Sequence, residues 1–397
     1  MISLSWRYCL QKYIIIIKYD GLDVWKVNEF RVPDSKKISV VKSRINNEFN
    51  NQKTQTCCAL CGKSIIDNSK AFHKSHTVPF FCLENIKALY NKNYGVLKAD
   101  YPALRTVFSD KEFIGTNKAG VFYSICSECD QEKFNIYENE EALLNKDPRD
   151  MVNSMALKIY LNELFNTRLR NFKNTIDYSK LTDDQMISSY FESIAGVESP
   201  TVDCDIRDFE TDLKIAKTAY ENGYRNYRII YYKILDYTVP IAAQTSIPIS
   251  HNIDYSKLQE VAQIGHKRIE DLLICIFPLK EKSVIIAFYK IGDNLIKKYS
   301  KQFFKLSEEE KLKEIFYLLL RYKASNYFYS PLIKEILHDV NIRGICSIED
   351  TVIQTEVFRW DLSMFEERQW KINLPSILSE RYSVQNLLKN QNSASCK

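Results

Sequence analysis

The feature that most narrows what this chain can be is a pair of Cys-x-x-Cys motifs, Cys58-Ala-Leu-Cys61 followed by Gly62-Lys63, and Cys126-Ser-Glu-Cys129. At that spacing one short turn lets both thiolates grip the same ion. Two such pairs therefore offer the four ligands of a tetrahedral zinc site, with sulfur at about 2.3 Å from the metal. Gly62 relieves the backbone where the first knuckle turns. A single Cys-x-x-Cys serves redox chemistry or packing equally well, whereas two matched pairs favour zinc.

A rival partition takes Cys58, Cys61, His73 and His76 as the ligands of one finger. It fits less well, because two residues separate the histidines where three to five are usual, and Cys126 and Cys129 are left without a role. Cys57 reads as a spare buried thiol. Cys9, Cys82, Cys204, Cys275, Cys346 and Cys396 are scattered singly and read as structural.

Composition sets the frame around this motif. The 397 residues suffice for two or three domains, and 45% hydrophobic with 26% charged residues is globular composition. The net charge of +5 argues little for an anionic partner, but its distribution argues more. Between Lys36 and Lys74 stand eight basic residues (Lys36, Lys37, Lys42, Arg44, Lys53, Lys63, Lys70, Lys74) against Glu48 and Asp67. This positive arm leads toward the cysteines, where a phosphate backbone could sit. The short apolar run Ile14–Ile17 is flanked by Lys12 and Lys18 and is no secretory signal, and no stretch is long enough to span a membrane. A cytoplasmic, reduced protein is the expectation, with thiols serving as metal ligands and not as disulfides.

Along the chain, residues 1–50 read as a strand-rich extension, closed by a turn at Pro33-Asp34-Ser35. Residues 51–147 hold the cysteine pairs, and Asp147-Pro148, an N-cap followed by proline at the first helical position, marks a boundary. Residues 148–385 read as a mixed α+β domain. Val152, Met155, Ala156 and Ile159 share one helical face, and the helix continues to about Phe172. Further helices are expected from Thr182, over Asp208–Tyr220, and from the capping box at Ser307-Glu-Glu-Glu310 through Leu320. Tyr227–Tyr237 reads as β structure, and Leu272–Phe277 with Ser283–Tyr289 as a hairpin. Residues 386–397 turn to Asn, Ser and Lys and are expected to be a disordered tail.

The order Cys58-x-x-Cys61, then Ser75-His76-Thr77-Val78-Pro79, then Cys126-x-x-Cys129-Asp130-x-x-Lys133 resembles the HNH, or His-Me finger, endonucleases in their treble-clef zinc form. The likeness runs from about Cys57 to Asn139, roughly a quarter of the chain. It implies a zinc-stapled treble-clef or ββα-metal finger followed by the larger α+β domain. It also implies His76 as the general base that activates water against a phosphodiester, and Asp130 as ligand of a second, catalytic Mg²⁺ or Mn²⁺. Lys133 is then a phosphate contact or a solvated charge. The sequence departs from the family at two places: Ser75 stands where an acid usually binds the metal, and Val121 where an asparagine usually holds the base. Asn117 is the auxiliary candidate for that asparagine, and His73 either supplies the metal ligand that Ser75 does not or caps the strand. Some fifty residues lie between His76 and Cys126, so an insertion of about 84–115 is expected.

Three readings follow. The first is a metal-dependent endonuclease acting on nucleic acid, DNA before RNA, with a C-terminal domain that recognises substrate or a protein partner. Defence against foreign DNA would fit this architecture by analogy alone. The second is a non-catalytic nucleic-acid- or protein-binding module that keeps the zinc and has lost the active metal, as Ser75 and Val121 suggest. The third is the single finger. Tyr224, Arg225, Tyr227 and Arg228 suit either a nucleic-acid surface or cross-strand packing with solvated edges.

Overall fold

The computed structural model describes residues 35–51, 57–64, 74–98, 113–198, 202–261, 267–322, 326–346, 348 and 357–395. In chain order the elements are α1 (Ser35–Asn51), β1 (Ser75–His76), α2 (Phe80–Ile86), β2 (Ala88–Tyr90), β3 (Asn93–Lys98), β4 (Phe113–Ile114) and β5 (Val121–Phe122). Then come α3 (Ser127–Phe134), α4 (Glu140–Asn145), α5 (Pro148–Thr175), α6 (Gln185–Glu198), α7 (Val202–Asn222), β6 (Tyr227–Leu235), β7 (Ile241–Ile247), β8 (Leu272–Pro278) and β9 (Ser283–Lys290). The chain closes with α8 (Asn294–Phe303), α9 (Glu308–Arg321), β10 (Tyr327–Tyr329), α10 (Val340–Cys346), α11 (Val357–Ile372) and α12 (Val384–Ser395). The fold is mixed α+β.

The chain divides into two compact units, one within residues 1–52 and 169–199, the other within 53–168 and 200–397. In the smaller unit, residues expected as strand form α1 instead. Val41, Ile45 and Phe49 are buried at intervals of four, the spacing of a helix face, and Phe49 meets Phe172 with ring centroids 5.4 Å apart. Part of the basic arm is spent here, since Lys37 pairs with Asp184 at 2.9 Å and Arg44 donates to the Leu181 carbonyl. The helix expected from Thr182 begins at Gln185, because the Asp184 carboxylate, and not Thr182, accepts from the Ile187 amide.

The larger unit is built on one antiparallel sheet. Among its described residues the strand order is β2-β3-β10-β7-β8-β9-β6, with β4 on β3. The expected hairpin is β8 and β9, paired from Leu272 with Tyr289 to Pro278 with Ser283. Every residue of β7, β8 and β9 is buried, and in β8 and β9 the apolar run is continuous although the pairing is antiparallel. The period of two still sorts the side chains. Ile274, Ile276, Ile285 and Ala287 enter a core with Ile296, Tyr299, Phe303, Ile315 and Leu319 of α8 and α9. The alternate residues face the cysteine-bearing segment: Phe277 meets Tyr137 at 5.9 Å between ring centroids, and Gln244 donates to the Tyr137 hydroxyl at 3.0 Å.

That second face removes the domain boundary expected at residue 147. Helix α5 does start at Pro148, with the Asp147 carboxylate accepting from the Arg149 amide at 2.9 Å, but residues on both sides of that point share one core. Within the described part of the expected insertion, 84–98 and 113–115, the strands β2, β3 and β4 belong to the large sheet: Leu97 and Lys98 of β3 pair with Tyr329 and Phe328 of β10. Asn85, at the end of α2, donates to the Pro278 carbonyl of β8. On another side, buried Asp212 of α7 accepts from Arg268 and from Lys290, both at 2.7 Å, and so ties that helix to the end of β9.

The C-terminal segment expected to be a disordered tail from 386 is helix α12 through Ser395. It is docked: the Val384 amide donates to the Thr238 carbonyl, and the Gln385 amide group exchanges hydrogen bonds with the Thr238 amide and hydroxyl. The capping box on α9 forms as expected, with the Ser307 hydroxyl and Glu310 side chain reciprocating.

Candidate metal centre and the histidine beside it

The first knuckle is a tight hairpin. Cys57 bridges Ser64, the Cys58 amide donates to the Lys63 carbonyl, and the Gly62 amide donates to the Cys58 carbonyl with Gly62 at φ +70°. A left-handed residue is needed at that corner, and glycine takes it without a Cβ penalty. The second knuckle is the entry to α3, whose N-cap is Cys126. The two are stitched together by the Ala59 amide donating to the Ser124 carbonyl and by an exposed Lys63–Glu128 ion pair.

This brings the sulfurs of Cys58, Cys61, Cys126 and Cys129 within 4.8 Å of one another, with Cys61 and Cys126 at 3.9 Å. A tetrahedron with about 2.3 Å zinc–sulfur bonds has sulfur–sulfur edges of about 3.8 Å. Donor set and spacing therefore fit a metal ion such as zinc. The electrostatics agree. Burial raises the Cys58 thiol, but the amides of Cys61, Cys126 and Leu60 aimed at its sulfur prevail and bring it down to about 7. Burial raises Cys126 and Cys129, and the neighbouring thiols raise Cys129 further. Four thiols this close can all ionise only with a cation among them. Among the described residues this is the one cluster of three or more potential ligands of this kind. His73, the other half of the rival finger, lies outside the described residues.

Next to the cysteines stands a short antiparallel pair, β1 with β5, in which His76 is opposite Val121 and Ser75 opposite Phe122. The turn before β5 is fixed by Gly120 at φ +61°, where a Cβ would come within 2.4 Å of the Thr77 hydroxyl. The main chain there presents the Ala119 carbonyl to His76, whose Nδ1 lies 3.0 Å from that oxygen. A carbonyl only accepts, so Nδ1 carries the proton and Nε2 keeps its lone pair. The ring packs on Phe80, 5.2 Å between centroids. Burial lowers the His76 pKa below the ordinary histidine value. The Ala119 carbonyl and Asp130 oppose the shift, while Lys74 and Lys158 reinforce it. The imidazole is thus held neutral and single-handed, as a base must be.

The hydrogen-bond partner of His76 Nδ1 is the Ala119 carbonyl, and Asn117 stands apart from it. It is exposed on the 3₁₀ turn Thr116–Lys118, and the backbone carbonyl of Ala119 takes the part considered for it. Asp130 sits in the first turn of α3 and is buried. Ser75, also buried, donates its hydroxyl to Asp130 Oδ1 at 2.5 Å. Lys133 is neither fully solvated nor directed outward: it pairs with Glu132, and its ammonium lies 4.9 Å from the centre of the Tyr220 ring on α7. Tyr224, Arg225 and Arg228 are exposed, whereas Tyr227 is buried against Phe288.

Two lysines join the site from elements distant in sequence. Lys158 of α5 is 1% exposed; its ammonium lies 3.5 Å from Asp130 Oδ1, contacts Glu138, and sits over the Phe134 ring. Lys217 of α7 donates to the Leu60 carbonyl within the first knuckle at 2.6 Å. The signal for Lys158 was present in the sequence, as the one charge in the run Met151–Leu161. An amphipathic reading sets such a charge on the wet face, and α5 has no wet face over that run.

No family model, curated protein or solved structure matches the chain. No helix among the described residues is long and apolar enough to cross a membrane.

Proposed function

We propose that this segment is a zinc-stapled ββα module of the HNH type, in its treble-clef form, and that it hydrolyses phosphodiester bonds in nucleic acid, DNA before RNA. The observation that carries the reading is His76: a neutral imidazole with Nδ1 engaged by Ala119 and Nε2 left to take a proton from water. The order β1, β5, α3 around the cysteines supports it. So does exposed Lys74 beside His76, a positive charge that suits an anionic substrate. Zinc would be held by Cys58, Cys61, Cys126 and Cys129 and would fix β1–β5 and α3 in one geometry. The Mg²⁺ or Mn²⁺ that the family likeness implies at Asp130 would supply positive charge to the phosphate, and it would have to be admitted beside the Lys158 ammonium already paired there.

The test is cleavage of plasmid DNA by zinc-loaded protein in Mg²⁺, in Mn²⁺ and without an added divalent ion, beside His76→Ala of equal zinc content. Cleavage lost in the variant supports the reading, and no cleavage by the native chain under any condition rejects it. A second reading, the non-catalytic nucleic-acid- or protein-binding module, is favoured by one specific observation: Asp130 Oδ1 already has the Ser75 hydroxyl and the Lys158 ammonium beside it.

A further inference from the structure

We infer that Lys158 is the resident cation of the Asp130–Glu138 carboxylate pair, so that the site beside His76 takes no second divalent ion. The inference rests on the nuclease reading only for its catalytic consequence, which is that any cleavage by His76 proceeds with zinc as the sole metal.

Two carboxylates from one stretch, Asp130 in α3 and Glu138 just beyond it, converge on a single ammonium. That ammonium is 1% exposed, lies over the face of Phe134, and is delivered by a helix buried around its circumference from Met155 to Phe165. Its cost of burial is met by the two carboxylates and the ring, and they in turn are neutralised by it. Ser75 completes the arrangement. Its hydroxyl donates to the same Asp130 oxygen, a role no carboxylate at that position could play at neutral pH. A divalent ion at Asp130 would have to evict an ammonium held by buried packing, or sit against it at like-charge distance. Either costs more than a hydrated Mg²⁺ or Mn²⁺ gains from one carboxylate. Lys158 is thus a positioning residue: it fixes Asp130 and Glu138, and its charge helps keep His76 neutral.

The experiment uses full-length protein carrying zinc and adds Mn²⁺ alone, which broadens the signals of nearby protons. The cysteine site retains zinc, because thiolates prefer it to Mn²⁺. In the native chain the His76 ring signals are expected to stay sharp at millimolar Mn²⁺. In Lys158→Met, checked for zinc and helix content, they are expected to broaden selectively, as the two carboxylates lose their ammonium. Selective broadening in the native chain overturns the proposal, and so does a folded Lys158→Met whose His76 signals stay sharp. Where Lys158→Met loses zinc, Lys158→Gln, which keeps a donor toward Asp130 without the charge, carries the same comparison. Cleavage separates this proposal from the broader reading. Mg²⁺-dependent cleavage overturns the role of Lys158 and leaves the nuclease. Sharp native signals with no cleavage under any ion reject the nuclease and support Lys158.

Discussion

The ammonium of Lys158 and the Oδ1 of Asp130 lie 3.5 Å apart in the interior, joining the helix that carries the second cysteine pair to the long helix α5. Removing one partner of a buried ion pair leaves the other charge uncompensated, at a cost of about 3–5 kcal/mol. Lys158→Ala is therefore expected to destabilise the larger unit by that order in urea denaturation. Asp130→Asn should cost less, because an amide can still accept from Ser75. In the double variant the losses should not add, and additive losses would show the pair to be uncoupled.

Zinc content is the next expectation. Native protein should carry about one zinc per chain by elemental analysis. Cys61→Ser and Cys126→Ser should lose it, whereas Cys204→Ser, part-buried on α7 away from the four sulfurs, should retain it. Chelation should also loosen α7, since Lys217 is anchored on the Leu60 carbonyl inside the knuckle. Hydrogen exchange of α7 amides reads this directly, and unchanged protection after zinc removal would count against the anchor.

Gly120 gives a local prediction. Its φ is +61°, and a Cβ at this position would approach the Thr77 hydroxyl to 2.4 Å, so there is no room for a side chain. Gly120→Ala should destabilise by about 1–3 kcal/mol and disturb the Ala119 carbonyl that faces His76, while the cysteines keep their zinc. A drop in thermal midpoint with unchanged zinc content is the expected pair of results.

The pH dependence follows from the sign of the His76 shift. Its pKa is lowered in the folded state, so between that value and the unfolded value of about 6.5 the unfolded chain binds more protons. The stability due to a neutral His76 is full above the unfolded value and is lost as pH falls through the folded one. His76→Gln should flatten the acid side of the stability curve relative to native protein. Equal slopes for the two would show that His76 titrates without perturbation.

Much of this was legible where the signal is local. The hairpin β8–β9, the start of α5 at Pro148, the Ser307–Glu310 capping box and the two cysteine pairs each declare themselves within a few residues. What escaped was written across the chain. The pairing of β3 with β10 joins short stretches some 230 positions apart, and it dissolves the boundary that Asp147-Pro148 suggested. Helix α1 was hidden because Val41, Ile45 and Phe49 are a sparse face in a basic stretch, and α12 because its anchor is Thr238 and not its own polar composition. Within the site, the family likeness implies a side-chain amide against His76, and a backbone carbonyl stands there. Sequence patterns do not record which carbonyl a glycine turn will expose.

The claim on which the rest depends is the state of the His76 ring, and nitrogen NMR of histidine-labelled, zinc-loaded protein at pH 7 reads it without needing substrate. A neutral ring protonated on Nδ1, with Nε2 unprotonated and titrating below the ordinary histidine range, is the expected result. A ring protonated on Nε2, or one still charged at pH 7, would overturn the proposed role of His76, because neither leaves a lone pair on Nε2 to take a proton from water.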